Sequence, residues 1–399
     1  MDSPLLAATR RIVAIIGIGC AAIAGLATAA DKKPVLLGID GEFGLQNSTS
    51  AQAIELGVRI AVTQINEAGG VLNGRPLEIV TKDNRSIPAR GIRNIKEFAA
   101  IPDLVAVFGG RFSPVVIEEL PTLKEAKLPF LAVWSAADVI IDNGTNPNFA
   151  FRLSLRDSLA MPFMLRSAKE RGLERVGLLL TNTSWGRSNQ AAAEKFNTTN
   201  KRPTVVATAW YNWQEQSLID QYQKLRQAGA QAIVLVANDD EAAILVREVA
   251  ALPRDQRVPI ISHWGVTGGK FAQAAGPALQ QVDFSVVQTF SFFAARKEPL
   301  ARFMATARRF GVERIEDIES PVGVAHAYDM THVLARAINL AGSTDRIAVR
   351  NALEKVAEYD GLVRRYAPPF TSTRHEALSE AQLLMARYRP DGVLVPIKR

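Results

Sequence analysis

The sequence predicts an α/β protein built from two lobes, each a doubly wound parallel sheet. Short apolar runs alternate along the chain with amphipathic stretches of helical period. This alternation is typical of parallel sheets covered by helices on both faces. The 399 residues contain about ten predicted strands, more than one open sheet needs, and no low-complexity linker divides them. Two lobes joined by several chain crossings, which act as a hinge, are therefore expected.

The individual elements follow from local patterns. Residues 35–39 form the first apolar run, and residues 51–68 form a helix with one apolar face: Ile54, Val58, Ala61, Val62 and Ile65. Thr49 and Gln52 have the spacing of a capping box, Gly69 and Gly70 end the helix, and Asn73-Gly74 predicts a tight turn. Further strands are predicted at 77–80, 104–108, 130–133, 176–180, 205–209, 232–236 and 259–261. Residues 149–162 and 285–299 are predicted to be extended, 300–310 and 322–341 to be helical, and 381–397 to form a hairpin.

Composition and charge exclude several classes of protein. With 48% hydrophobic and 22% charged residues, the chain is neither disordered nor a polytopic membrane protein. The net charge is +7, but basic residues are scattered among acidic ones and no basic run is interleaved with aromatic residues. Nucleic acid is therefore not an expected partner.

The first thirty residues have the pattern of a secretory signal peptide. Arg10 and Arg11 precede an apolar stretch at 12–26, and Ala27-Thr28-Ala29 fits a cleavage site. An uncleaved anchor is one alternative. A lipoprotein anchored through the single cysteine, Cys20, is another, but Gly17 stands where a lipobox has a branched aliphatic residue. If the signal peptide is removed at the predicted cleavage site, the mature chain holds no cysteine, which suits an exported protein.

Motifs for catalysis or for metal and cofactor binding are not found. The sequence has no dinucleotide or phosphate-loop fingerprint, no Gly-x-Ser-x-Gly elbow and no His-Glu-x-x-His zinc site. The four histidines lack metal-ligand spacing. We therefore expect no catalytic residues, no metal and no cofactor. Two lobes that meet at their strand ends favour a binding protein over an enzyme.

One segment carries a family resemblance. Residues 56–80, with Ile-Asn-Glu-Ala-Gly-Gly-Val-Leu-Asn-Gly-Arg-Pro at their centre, are similar to the leucine/isoleucine/valine-binding family of solute receptors. The similarity continues at 105–110, 128–132, 175–180, 220–236 and 325–330. It implies the type I periplasmic-binding-protein fold, with crossovers near Arg152, Gln288 and Phe370. Residues 1–30 would be the signal peptide, lobe 1 would contain 31–152 and 289–369, and lobe 2 would contain 153–288 and 370–399.

The resemblance also implies ligand-binding residues. Ser113 matches the serine that holds the ligand's α-carboxylate, and Ala136 stands where the family has a threonine, next to Ser135. Trp134 is expected in the same loop of the cleft, and Trp185 falls on the aromatic residue that covers the ligand. Helix capping by Ser113, and core roles for Trp134 and Trp185, are the alternatives.

Several positions depart from the family pattern. Asn238 replaces a tyrosine, and Trp264 aligns with the glutamate that clamps the ligand's ammonium group. A buried ammonium without a carboxylate is costly, so Trp264 disfavours an ordinary aliphatic amino acid unless Glu42, Asp239 or Asp240 substitutes.

Other departures concern the kind of ligand. Three tryptophans around one cleft favour a flat or aromatic ligand, or a cage for a quaternary cation. Glu42 belongs to a long first loop that approaches the cleft. Arg111 is either a second carboxylate contact or a solvated surface residue.

These observations predict a periplasmic solute-binding protein of an ABC importer. It would bind a small carboxylate-bearing or amino-acid-like ligand by hinge closure, act as a monomer and deliver the ligand to permease subunits in the inner membrane. One alternative is a receptor of the same fold that signals to a membrane sensor protein. The alternative from another class is a secreted hydrolase or amidase, for which the sequence offers no nucleophile and base.

Overall fold

The computed structural model describes residues 32–398 and contains two large sheets, the first wholly parallel and the second mostly parallel. The chain first forms β1 (Val35–Gly41), α1 (Ser50–Glu67), β2 (Leu77–Asp83), α2 (Pro88–Ala99), β3 (Leu104–Gly109), α3 (Ser113–Glu125), β4 (Phe130–Ala132) and β5 (Ala150–Arg152). The first sheet has the strand order β2-β1-β3-β4-β5, with every neighbouring pair parallel. Helices α1 to α3 connect its first four strands, as expected for right-handed β-α-β units.

The middle of the chain forms the second sheet. Its elements are α4 (Asp157–Glu170), β6 (Arg175–Thr181), α5 (Ser184–Thr199), β7 (Thr204–Tyr211), α6 (Ile219–Gln227), β8 (Ala232–Val236), α7 (Asp239–Ala251), β9 (Ile260–Ser262), α8 (Phe271–Ala275) and β10 (Phe284–Gln288). The strand order is β14-β13-β10-β9-β8-β6-β7. Strands β6 to β10 are parallel to one another, whereas the two C-terminal strands are antiparallel.

The last quarter of the chain adds helices beside the first sheet and a hairpin to the second. It forms α9 (Lys297–Ala307), α10 (Pro321–Ala341), α11 (Arg346–Leu353), the short strands β11 (Tyr359–Asp360) and β12 (Arg365–Tyr366), and the hairpin β13 (Leu384–Tyr388) and β14 (Leu394–Pro396). Helices α9 and α10 pack against α1 and therefore belong with the first sheet, whereas the hairpin joins the second. We call the first sheet with its helices the first lobe, and the second sheet with its helices the second lobe.

Helices α1 and α10 form the centre of the first lobe. All five residues of the predicted apolar face of α1 are buried, which confirms the helical period seen in the sequence. Gly57 lets the two helices approach closely, because a Cβ there would lie 2.2 Å from the carbonyl oxygen of Val324. The buried face of α1 is thus covered by a helix that lies about 270 residues further along the chain.

Three local predictions were wrong. Thr49 does not cap α1 with its side chain; its hydroxyl instead bonds the hydroxyl of Ser320 at 2.6 Å, a tertiary partner that the sequence spacing does not reveal. Residues 149–162 are not extended throughout, because α4 begins at Asp157 and holds Pro162 in its interior. Residues 285–299 are not extended throughout either, because α9 begins at Lys297. The C-terminal hairpin was predicted correctly, although its first strand begins at Leu384.

Three segments connect the lobes. The chain leaves the first sheet after Arg152 and leaves the second after Gln288. It returns to the second sheet through residues 375–377, which hydrogen-bond to the backbone of Arg152 at 2.8 and 2.9 Å. The guanidinium of Arg152 is fully buried and binds the Glu376 carboxylate at 2.6 Å. An ion pair therefore joins two of the connections.

Candidate functional site

A small cavity lies between the lobes at the carboxyl ends of the strands, where ligands bind in open α/β sheets. Its walls come from the loops that follow β3, β4, β6, β7, β8 and β9. Its volume is about 10 Å³, room for about one water molecule, so the lobes are closed on each other here. The lining consists of Arg111, Phe112, Ser113, Pro114, Trp134, Ala136, Trp185, Trp213, Asn238, Trp264 and Gly265.

Six of the eight predicted ligand-binding residues line this one cavity: Ser113, Trp134, Ala136, Trp185, Asn238 and Trp264. Ser135 and Glu42 lie outside the lining. The Ser135 side chain is buried without a hydrogen-bond partner among the described residues, and its carbonyl accepts from Arg152. The Glu42 carboxylate is fully buried and accepts hydrogen bonds from the hydroxyls of Ser48 and Ser50.

Ser113 is held by the neighbouring loop of the first lobe. It is the first residue of α3, and its Oγ accepts hydrogen bonds from the backbone N–H groups of Ala136 and Ala137, each at 3.2 Å. A serine oxygen has two acceptor sites and one proton. Both acceptor sites of Ser113 Oγ are used by these two N–H groups. The hydroxyl proton remains, and Ser113 can donate it to an acceptor on a ligand.

Two of the tryptophans that line the cavity pack against each other. The rings of Trp134 and Trp264 are 5.9 Å apart at an interplanar angle of 48°, and Trp264 lies 5.6 Å from the ring of His326. Burial lowers the pKa of His326 to about 3, so this imidazole is neutral. The wall behind Trp264 is therefore aromatic and uncharged.

The third tryptophan is fixed by a buried carboxylate. Trp185 donates its indole N–H to Asp157 at 3.2 Å, and the same oxygen lies 3.1 Å from Nε2 of His263. The rings of Trp185 and His263 meet edge to face, with centroids 5.0 Å apart. Asp157 thus sets the orientation of a cavity wall without lining the cavity itself.

An ion pair crosses from one lobe to the other. Nη1 of Arg111, in the loop after β3, lies 2.6 Å from Oδ1 of Asp239, the first residue of α7. Both side chains are almost completely buried. The prediction from sequence left Arg111 open between a ligand contact and a surface residue, and the structure places it in the cavity wall.

Trp213 is a lining residue that the sequence analysis missed. It follows the end of β7 by two residues and packs edge to face on Phe112 at 5.3 Å, across the two lobes. Its position just after a parallel strand could have identified it, because the other lining residues also come from segments that follow parallel strands.

Further polar contacts hold the lobes together beside the cavity. The N–H of Thr49 donates to Gly268 at 2.9 Å, the hydroxyl of Ser320 donates to Thr267 at 2.7 Å, and the N–H of Asp138 donates to Ser188 at 3.1 Å. These bonds and the pair between Arg111 and Asp239 must break for the lobes to part and a ligand to enter, and they can form again when the lobes close.

A wider crevice of about 680 Å³ lies elsewhere between the lobes, bounded by α8, the β13–β14 hairpin and residues 315–321. It contains none of the eight predicted binding residues. Volume alone would favour it, but it lacks the convergence of strand ends that characterises ligand sites in this fold. We therefore take the small cavity lined by the tryptophans as the candidate site.

A buried pair of carboxyl groups lies beneath the first-lobe side of the site. Asp40, near the end of β1, accepts hydrogen bonds from the side-chain amides of Asn84 and Asn94, each at 2.6 Å. Burial raises the pKa of Glu119 on α3 well above its ordinary value, and the charge of Asp40 adds to this effect. Folding therefore favours the protonated form of Glu119.

Replacing Glu119 by glutamine is expected to remove part of the pH dependence of stability. A carboxyl whose pKa is raised by folding contributes stability fully below its unfolded pKa of about 4.5 and loses it as the pH rises through the folded value. Wild-type protein should lose up to about 1.4 kcal/mol of unfolding free energy per pH unit from this group. Urea unfolding from pH 5 to 8 measures the difference between the two proteins. Glu118→Gln, on the exposed side of the same helix, is the matched control; equal slopes for all three proteins would contradict the assignment.

The sequence as a whole matches a known family. Residues 15–391 match the family described as periplasmic binding protein. The chain belongs to this family. Among curated relatives of this periplasmic binding protein, a "Leu/Ile/Val-binding protein homolog 1" of Brucella suis is 24% identical over 335 residues, which are 80% of this chain and 82% of the relative. This confirms the resemblance found in the sequence.

Solved structures confirm the two-lobed fold. The substrate-binding protein LivJ of Streptococcus pneumoniae, in complex with isoleucine, is 20% identical with a TM-score of 0.76, over 92% of this chain and all of that chain. A solute-binding protein of Rhodopseudomonas palustris HaA2, in complex with p-hydroxybenzoic acid, is 16% identical with a TM-score of 0.78, over 92% and 96% of the two chains. At these identities the similarity shows the fold alone.

The remaining expectations concern the N-terminus, membranes and metals. The predicted signal peptide, with Cys20, lies outside the described residues and stays a prediction. No helix between residues 32 and 398 is both long and apolar enough to cross a membrane. Within the same range, no three His, Cys, Asp or Glu side chains are grouped in a way that would hold a metal ion.

Proposed function

We propose that this periplasmic binding protein is the solute receptor of an ABC importer and that its ligand is a small, planar carboxylate, preferably an aromatic one. The two lobes close on the ligand about the crossings near Arg152, Gln288 and Phe370. The closed form delivers the ligand to permease subunits in the inner membrane. The receptor acts as a monomer and without covalent chemistry.

The observation that carries this proposal is the hydrogen-bonding capacity of the cavity wall. Ser113 has a proton to donate, and the indole N–H groups of Trp134 and Trp213 are buried without a partner among the described residues. These groups are donors, and a carboxylate is a pure acceptor. Among residues 32–398, no aspartate or glutamate lines the cavity. A ligand rich in acceptors would satisfy these donors, whereas a buried ammonium would find no counter-charge in the wall.

The shape of the wall supports a flat ligand. Trp134, Trp185 and Trp264 present large aromatic surfaces from both lobes, and offset or edge contacts with a ring are favourable for such surfaces. The p-hydroxybenzoate complex of the Rhodopseudomonas palustris protein shows that this fold accommodates an aromatic carboxylate. The isoleucine complex of LivJ shows that it also accommodates an amino acid, so the ligand class needs a direct test.

A thermal-shift screen distinguishes the two classes. The protein is refolded to remove any co-purified ligand and then heated with benzoate, 4-hydroxybenzoate, isoleucine, leucine, benzamide or choline. A ligand at about one hundred times its Kd stabilises the fold by about 2.7 kcal/mol, which gives a clear rise in Tm. We expect stabilisation by the two benzoates. Stabilisation by the branched amino acids alone would overturn the proposal.

Replacing Ser113 by alanine is expected to weaken binding of benzoate by about 1–3 kcal/mol, because a buried donor to a charged acceptor is lost. Isothermal titration calorimetry measures the change. Ser372→Ala, at an exposed serine outside the cavity lining, is the matched control. Unchanged affinity in the Ser113 variant would show that its hydroxyl serves only to hold the neighbouring loop.

A further inference from the structure

Arg111 has donors that the protein itself does not use. Its Nη1 binds Asp239 at 2.6 Å and the carbonyl of Gly265 at 3.3 Å. Its Nε is buried and has no hydrogen-bond partner among the described residues. A charged donor without a hydrogen-bond partner in the interior costs free energy, so an acceptor placed next to this N–H would be stabilised. Arg111 lines the same cavity as Ser113, two residues away in the same loop.

We propose that Arg111 binds the carboxylate of the ligand through its Nε edge while its Nη1 holds Asp239, so that one guanidinium both recognises the anion and couples its binding to lobe closure. This inference rests on the proposed function, which supplies the carboxylate. Nε and Nη1 lie on different edges of a planar fork, so two carboxylates can be bound in the same plane without competing for one N–H. One of them comes from the second lobe and the other from the ligand.

The surroundings fix the guanidinium in this position. It lies over the ring of Phe112, 4.6 Å from the ring centroid. A Cβ at Gly268 would lie 2.3 Å from Nη1. Only a glycine at this position therefore lets the backbone of the second lobe come this close to the guanidinium. A Cβ at Gly269 would likewise lie 1.9 Å from Oδ2 of Asp239. The two glycines let the second lobe close around an ion pair that stays rigid.

The position of the ion pair explains how charge is coupled to closure. Arg111 belongs to the first lobe and Asp239 to the second, so the pair forms only when the lobes meet. A carboxylate held by Arg111 and Ser113 keeps the guanidinium in place for Asp239. A neutral ligand of the same shape would occupy the same place between the lobes but leave Nε without an acceptor.

Calorimetry with benzoate and benzamide tests the recognition step. The two probes share the ring, and only benzoate carries the charge. Arg111→Gln is expected to weaken benzoate binding about tenfold or more, the usual range for a charged hydrogen bond, and to change benzamide binding little. Arg111→Lys, which keeps the charge but loses the fork, is expected to fall between wild type and Arg111→Gln and guards against a folding defect in the glutamine variant. Equal losses for both probes would show that Arg111 only packs.

Small-angle scattering tests the coupling step. Benzoate should reduce the radius of gyration of wild-type protein, whereas Asp239→Asn should bind benzoate more weakly and show a smaller reduction. The double variant Arg111→Gln/Asp239→Asn should lose no more benzoate affinity than the larger single loss, because both residues act through one guanidinium. Additive losses, or full closure in Asp239→Asn, would overturn the coupling.

If wild-type protein binds no aromatic carboxylate, the proposed function and this inference both fail. If it binds benzoate and Arg111→Gln binds it equally well, only this inference fails.

Discussion

Replacing Glu376 by glutamine is expected to lower the free energy of unfolding by about 3–5 kcal/mol, because it leaves a buried guanidinium without its counter-charge. Arg152 is fully buried and donates to Glu376 from Nε at 3.0 and 3.2 Å and from Nη2 at 2.6 Å. The carbonyls of Ser135 and Ala137 satisfy Nη1 but carry no net charge. The remaining positive charge would stay in a dry environment at the junction of the lobes.

Urea unfolding measured by circular dichroism checks this expectation. The chain offers a matched control in Glu380→Gln, because Glu380 pairs with Arg166 at 2.6 Å while both side chains are well exposed. An exposed pair contributes about 0–1 kcal/mol, so the control variant should unfold close to wild type. Equal losses of unfolding free energy for the two substitutions would show that burial does not make the pair between Arg152 and Glu376 more important for stability than an exposed pair.

Trp264→Ala is expected to cost about 3–5 kcal/mol of unfolding free energy, the usual range for truncating a buried large aromatic residue. Trp264 is 1% exposed and packs between Trp134 and His326, at the point where the lobes meet. Its removal leaves a void that the surrounding strand ends are too rigid to fill. The same variant should bind benzoate more weakly, because a wall of the cavity is lost.

Denaturant unfolding and calorimetry on the same samples separate the two effects. Trp213→Ala is the matched control, since this tryptophan also lines the cavity but is only partly buried. Its loss of stability should be clearly smaller than that of Trp264→Ala. Similar losses would mean that Trp264 is not part of the packed core.

Much of the fold could be predicted from local pattern. The spacing of Ile54, Val58 and Ile65 predicted the buried face of α1, and the alternation of short apolar runs with helices predicted parallel sheets. The side-chain partner of Thr49 could not be predicted, because it lies 271 residues away. Helix capping depends on whether a tertiary partner competes for the same hydroxyl, and spacing carries no information about that.

Part of the candidate site could be predicted from the family resemblance. Positions after β3, β4 and β9 could be named because the resemblance aligned them, and Ser113, Trp134 and Trp264 do meet in one cavity. The pairing of Arg111 with Asp239 could not be predicted, because it arises only when two lobes approach each other. Trp213 was missed because no family pattern pointed to it, although its place after a strand was visible.

The packing of α10 on α1 has a consequence for the order in which the chain is made. Strands β1 to β5 are complete once residue 152 has been synthesised, but α9 and α10, which pack on α1, are complete only at Ala341. The five parallel strands of the second lobe are all synthesised in between, but its antiparallel hairpin follows α10 and is synthesised last. Both lobes therefore need segments from the last quarter of the chain, and the face of α1 that α9 and α10 cover stays open until those helices have been synthesised.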